Sequence, residues 1–378
     1  MNTKTRRYRS CVILWALLFC SSPLLAQESS RKIGPRTLPL SVGVSDAFRK
    51  SQAETPELDP SDMDFVPATE EEWIEHIEEK DAGAAAVAQS LAGALNVTVK
   101  EDKIAGVNVY WVNPPTISVE HQGHLFVYIH GGAYVYNGGM AGVVEPALIA
   151  HHLQIEVVSI DYRMPPQHPA PAATDDVIAV WKELLKTRSN TSMVMGGTSA
   201  GGNITLASSQ RFVSLGLAVP AALYIGTPTV DLNPEAGDSR YLNEGADRIL
   251  IKMGDFGVAA MNLYAGELGL NHPYVSPIFG SFSGLPPTYL ITGTRDLLLS
   301  DTVRTHRALR RAGIVAELHV YEGQSHGDYI LALKTPESAE HYAELQRFVL
   351  EHLSAPLATE PALSADQIPK EIPESVAF

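Results

Sequence analysis

The sequence predicts an α/β fold, a mostly parallel β-sheet with helices on both faces, and three observations carry that prediction. From about residue 104 onward, short β-rich runs alternate with helical stretches. Several of those runs are apolar throughout rather than alternating, as strands covered on both sides are. One run leads into the pentapeptide Gly197-Thr198-Ser199-Ala200-Gly201 and then into a helix-like stretch, so strand, tight turn and helix follow one another directly.

The β-rich runs are 107–112, 125–129, 156–160, 193–195, 221–225, 288–292 and 316–320. Helical stretches fall between or after them at 172–187, 200–215, 300–312 and 336–353. Strands separated by helices run parallel and bury the sheet between two helical layers. Upstream, residues 68–95 read as one helix. Thr69 suits the N-cap, the acids from Glu70 to Glu72 suit the first turn, and the following Ala-rich stretch favours helix. Trp73, Ile74 and Ile77 make an apolar stripe that either packs on the main body or belongs to a lid. Residues 229–272 show no strand pattern, only an apolar helix candidate at 254–264, and a long insertion after a core strand is often a lid. Residues 27–60 read as an extended or loosely held arm and residues 354–378 as a flexible tail. There are no internal repeats.

The chain has 378 residues, 45% hydrophobic and 19% charged, which is globular rather than disordered composition. Its first 26 residues stand apart. Lys4, Arg6, Arg7 and Arg9 come with no acid, residues 11–19 are apolar, and small residues lead to Ala26. This reads as a secretory signal peptide, with a secreted or periplasmic mature protein that keeps no stable membrane span. A membrane anchor and a lipoprotein held through Cys20 are the alternatives, although the apolar run is shorter than the roughly 20 residues a spanning helix needs. Both cysteines, Cys11 and Cys20, lie in this segment, so the mature chain has no disulfide, thiolate metal ligand or cysteine nucleophile. Removing four cations and no acid takes the net charge from −15 to −19. Such a surface repels nucleic acid. It leaves the subunit number open, a homo-oligomer included.

Gly197-Thr198-Ser199-Ala200-Gly201 is a G-x-S-x-G sequence in a strand–turn–helix context. That context forces the serine into a strained turn with its hydroxyl exposed, and aims the amides of the next helix at a developing oxyanion. Ser199 is therefore the candidate nucleophile. A second loop, His130-Gly131-Gly132-Ala133-Tyr134, follows the apolar run 125–129. Glycines there let backbone N–H groups point at a carbonyl oxygen as it gains charge. Gly131, Gly132 and Ala133, with Ala200, are the candidate oxyanion hole, Gly132 and Ala133 foremost. His130 is read as fixing this loop rather than as a base. In the chain order Ser, acid, His, the base comes late. His326, in the loop after the last strand run, is preferred to His319, which lies inside that run. The acid follows the preceding strand run, where Asp296 is preferred to Asp301, the latter reading as a helix cap. The acid would hold the histidine tautomer and stabilise the imidazolium.

Together, His130-Gly131-Gly132-Ala133, Asp161-Tyr162-Arg163, Gly197-Thr198-Ser199-Ala200-Gly201-Gly202 and Gly323-Gln324-Ser325-His326-Gly327 resemble the hormone-sensitive-lipase-like bacterial esterases, over about residues 100–353 and more loosely over 46–99. The resemblance implies an α/β-hydrolase fold with an eight-stranded sheet, no metal or other cofactor, and a helical cap built from the N-terminal segment plus the insertion after the sixth strand. The expected organisation is a signal peptide at 1–26, an arm and part of the cap at 27–103, a catalytic domain at 104–353 with its cap insertion at 229–272, and the tail. The resemblance also implies that Asp161-Tyr162-Arg163 and Asp175-Asp176 are structural. The sequence departs from the pattern twice. Ala133 stands where a third glycine is usual, narrowing the pocket beside it, and Thr198 stands where an Asp is usual. The expected activity is hydrolysis of small-molecule carboxylic esters of short acyl chain. A lactone hydrolase, a peptidase and a non-catalytic receptor-like binding module are the other readings.

Overall fold

The computed structural model describes residue 34, residues 36–56 and residues 58–354. The signal segment, the first residues of the arm and the tail from residue 355 lie outside the described residues. The described residues from Leu40 to Ser354 form one compact unit.

Eight strands make one sheet in the order β1-β2-β4-β3-β5-β6-β7-β8. They are β1 (Thr98–Ile104), β2 (Val107–Asn113), β3 (Leu125–Ile129), β4 (Glu156–Asp161), β5 (Met193–Thr198), β6 (Ala222–Gly226), β7 (Thr288–Gly293) and β8 (Ala316–Tyr321). From β4 across to β8 every pairing is parallel, while β2 is antiparallel to both β1 and β4. Seven strands match the β-rich runs. The eighth, β1, is a correction to the boundary at 104, because the sheet already begins at Thr98. Its sequence Thr-Val-Lys-Glu-Asp-Lys-Ile is almost wholly polar and its side chains are mostly exposed. Its place is fixed by a two-residue turn, Ala105 and Gly106, both at positive φ, the hairpin geometry whose twist matches paired strands.

Alternation along the strands sends side chains to two separate cores. Leu125, Val127 and Ile129 of β3 face α4 (Ala172–Leu184), α5 (Ala200–Ser214) and α8 (Leu299–Arg311), where Trp181 and Phe212 stack. Phe126 and Tyr128 face α3 (Val144–Leu153) and α10 (Pro336–His352). The short α6 (Ser239–Leu242) and α9 (Asp328–Leu331) lie in the loops after β6 and β8.

The arm is not loosely held throughout. Residues Asp46–Glu54 form α1, capped by Ser45, whose backbone N–H and hydroxyl both donate to Glu337 of α10, at 2.6 and 2.8 Å. Helix α2 (Glu70–Ala94) has the expected Thr69 cap. Its apolar residues divide between two jobs. Ala88 and Ala92 join the sheet core, whereas Trp73 and Ile77 meet α7 (Gly254–Ala265) of the insertion above the end of the sheet. Trp73 and Phe256 rings lie 5.4 Å apart there. Among the described residues no helix is long and apolar enough to cross a membrane.

Candidate active site

Strand β5 ends at Thr198, and Ala200 starts α5, leaving Ser199 alone at the bend with φ 61° and ψ −122°. A non-glycine residue holds such a conformation only where its surroundings over-determine it. Here the Ser199 N–H donates to the Gly226 carbonyl (2.8 Å), and its own carbonyl accepts from Asn203 (3.2 Å). The flanking glycines are required by contact. A Cβ at Gly197 or Gly201 would sit 2.1 or 2.0 Å from the Ile129 carbonyl oxygen, because the bend passes directly over the end of β3.

That end of β3 carries the glycine loop. Gly132, Ala133 and Tyr134 have φ of 110°, 50° and 70°, and the Gly132 carbonyl takes the N–H groups of both Val135 and Tyr136. His130 is buried. It stacks on Tyr162 with ring centroids 4.2 Å apart, and its Nδ1 lies 2.8 Å from the Gly131 carbonyl. Burial lowers its pKa, so it stays neutral. Tyr162 donates to the His130 carbonyl (2.9 Å), Asp161 accepts from the Gly139 N–H (2.9 Å), and Asp176 pairs with Arg163 (2.7 Å). Asp175 pairs with Arg211 (2.7 Å). Sequence reasoning missed one support of this loop. Asp81 of α2 accepts from the N–H groups of Asn137 (2.7 Å) and Gly138 (2.9 Å), and Asn137 donates back to the Gly131 carbonyl (3.3 Å).

Asp296 and His326 come from the loops after β7 and β8, adjacent parallel strands, and the sheet brings them together. Nδ1 of His326 lies 3.3 Å from Oδ1 of Asp296. Asp296 has no exposed surface. Its Oδ1 also accepts the Leu298 N–H (2.8 Å) and its Oδ2 the Thr292 hydroxyl (2.9 Å). Thr227, just past β6, donates to the same Oδ2 and stands 3.2 Å from His326 Nδ1, a partner that no motif flagged. Burial alone would raise the Asp296 pKa. The His326 charge and the hydrogen bonds from His326, Thr227 and Leu298 outweigh it, so the carboxylate stays ionised. Burial likewise opposes charge on His326, but the hydrogen bond and charge of Asp296, with Asp247 and Asp328, raise its pKa above 6.5.

The rivals sit elsewhere. Asp301 does not cap α8, since Leu298 holds that position. It lies in a buried ion pair with Arg240 (3.0 Å) and accepts the Val230 and Asp231 N–H groups. His319 stacks on Tyr289 within the sheet.

Ser199, His326 and residues Gly131 to Tyr134 all line one cavity of about 950 Å³. The cap supplies His76, Leu250, Met253 and Phe256 to its walls. Its inner end reaches Tyr128, Thr198 and Glu145. Glu145 is buried and accepts hydrogen bonds from Tyr128, Tyr224 (2.7 Å) and Thr198 (3.0 Å), while the Tyr329 and Thr198 hydroxyls lie 3.0 Å apart. Burial raises the pKa of Glu145.

A strained serine, a loop of turned amides beside it and a histidine backed by a buried carboxylate suit acyl transfer. Comparison with known proteins agrees. A family profile described as alpha/beta hydrolase fold matches residues 126–330. The solved structure of an esterase designated E25 is 47% identical with a TM-score of 0.84, covering 86% of this chain and 99% of that one. That of a hormone-sensitive lipase from a metagenome library is 25% identical with a TM-score of 0.68, covering 79% and 99%. An esterase of Acinetobacter venetianus is 26% identical over 263 residues, 67% of this chain and 82% of its own length. The chain belongs to the α/β-hydrolase fold family, and within it to the hormone-sensitive-lipase-like bacterial esterases. It is a carboxylic ester hydrolase.

Proposed function

We propose that the protein cleaves short-chain carboxylic esters through an acyl-enzyme on Ser199, with His326 as general base and acid and Asp296 as its carboxylate partner. Ser199 Oγ attacks the ester carbonyl while His326 takes its proton. The oxyanion is met by the amides of the loop from Gly131 to Ala133, chiefly Gly132 and Ala133, and by that of Ala200, each well-aimed donor contributing roughly 2.7–4 kcal/mol in the transition state. The alcohol leaves with the proton from His326. Water, deprotonated by the same imidazole, then releases the acid.

The observation that carries this reading is the convergence of the strained Ser199, the left-handed loop at 132–134 and His326, itself backed by Asp296, on one cavity. The acyl preference rests on the inner end of that cavity. A long alkyl chain directed there would meet Glu145 and Tyr128, and apolar contact with a buried carboxylate is unfavourable. Ser199→Ala is expected to abolish hydrolysis of p-nitrophenyl acetate, and near-normal turnover would refute the scheme. Rates across p-nitrophenyl acetate to dodecanoate are expected to peak at or below hexanoate, and rates on a lactone measured alongside to be lower than on the linear esters. We also propose export through residues 1–26, for which N-terminal sequencing of protein from the medium or periplasm is the check.

A further inference from the structure

Behind the catalytic pair, the insertion after β6 lies against the loops that carry the acid and the base. Asn243 donates to the carbonyl of Asp296 (2.8 Å), on the acid loop. The Arg248 N–H donates to Ser325 (3.0 Å) and its guanidinium pairs with Asp328 (2.7 Å), on the base loop. Asp247 reaches both. Its Oδ2 accepts the N–H of Leu297 (2.9 Å), the residue after the acid, and the N–H of His326 itself (3.3 Å). Its Oδ1 accepts the N–H groups of Ile249 (2.9 Å) and Leu250 (3.0 Å), residues that line the substrate cavity. The side chain is 1% exposed. A buried carboxylate is costly unless its oxygens are satisfied, and four amides from three segments satisfy this one.

We propose that Asp247 is a positioning residue for the reaction: it fixes the spacing between the acid loop and the base loop, and through it the hydrogen bond between Asp296 and His326. The inference rests on the assignment of that pair and of Ser199. Charge-assisted bonds to backbone N–H are roughly twice as strong as neutral ones, so one carboxylate holds two loops in a register that packing alone would leave loose. The bond it protects is already 3.3 Å long, with little reach to spare. Asp247 does not line the cavity that holds Ser199, but its bonds to Ile249 and Leu250 tie the cavity wall to the same anchor.

Asp247→Asn keeps the size of the side chain but turns an NH₂ group toward amides that need an acceptor. In the full chain it is expected to lower kcat on p-nitrophenyl acetate by about 10- to 100-fold, the effect of sub-ångström to ångström misplacement, with KM held within about twofold. Labelling of Ser199 by a fluorophosphonate is expected to slow by a similar factor. Circular dichroism establishes that the variant is folded. A folded variant with wild-type kcat, or one whose KM rises at unchanged kcat, would overturn the proposal. Should Asp247→Asn not accumulate as folded protein, Asp247→Ser, which still accepts a hydrogen bond, is read by the same criteria. Ser199→Ala run in parallel separates the two levels: an active Ser199→Ala sinks the nucleophile assignment, whereas an inactive Ser199→Ala beside a fully active Asp247→Asn sinks this inference alone.

Discussion

His326 Nδ1 faces Asp296 Oδ1 at 3.3 Å inside a site where the carboxylate has no contact with solvent. The pairing favours the tautomer with its proton on Nδ1, which leaves Nε2 free to act as the base in the proposed mechanism. Asp296→Asn is expected to lower kcat by about 10⁴-fold, the loss an Asp-to-Asn change produces when it imposes the wrong tautomer. Steady-state kinetics on p-nitrophenyl acetate measures it, and a loss below tenfold would point to another acid.

The pH profile follows from the same pair. As the proposed base His326 must be neutral, and its pKa lies above the ordinary histidine value because Asp296, Asp247 and Asp328 outweigh burial. Activity therefore rises with pH through a value above 6.5 and is lost below it. The acid limb of kcat/KM reports that pKa in the free enzyme. Asp296→Asn removes the largest of the raising influences, so the limb of its residual activity is expected to move to lower pH.

The ion pair of Arg240 and Asp301 is a matter of stability rather than chemistry. Both side chains are almost wholly buried, at 2% and 0% exposure. Burial pushes Asp301 up to about 6 even with Arg240 beside it. Arg240→Ala strands the carboxylate and is expected to cost about 3–5 kcal/mol at neutral pH, read from urea unfolding. The sign of the pH effect is set by the raised pKa. As pH falls, Asp301 takes up a proton more readily folded than unfolded, so the deficit should shrink toward pH 5 and below.

Thr198 stands one residue before Ser199, in contact with Glu145 (3.0 Å). Thr198→Asp would restore the residue usual in this motif but set two carboxylates together in a buried site. The change is expected to destabilise the protein by about 3 kcal/mol. Adding Glu145→Gln is expected to recover most of that, giving a coupling energy in a double-mutant cycle of unfolding free energies. Additive losses would mean that the two side chains do not share one charge site.

What was legible in the sequence was what has a period or a motif. Seven strands announced themselves as β-rich runs, most plainly β3, β5, β6 and β7, which are buried throughout because both faces of the sheet are covered there. The meeting of Asp296 and His326 was legible because each follows one of two adjacent parallel strands, β7 and β8. Strand β1 was illegible because its pairing is secured by a turn and its side chains face water. Helix α3 was missed for the opposite reason. It is buried from Glu145 to Ala150, so it shows no amphipathic stripe. Asp81 and Asp247 carried no signal at all, since 43 acids offer no way to tell which ones will meet a backbone amide across the fold, and Thr227 belongs to no motif.

The grip of Asp81 on the N–H groups of Asn137 and Gly138 makes helix α2 a part of the glycine loop's own scaffolding. A chimaera that borrowed its first hundred residues from a relative lacking that carboxylate would keep a roof over the pocket and lose the shape of the loop beneath it.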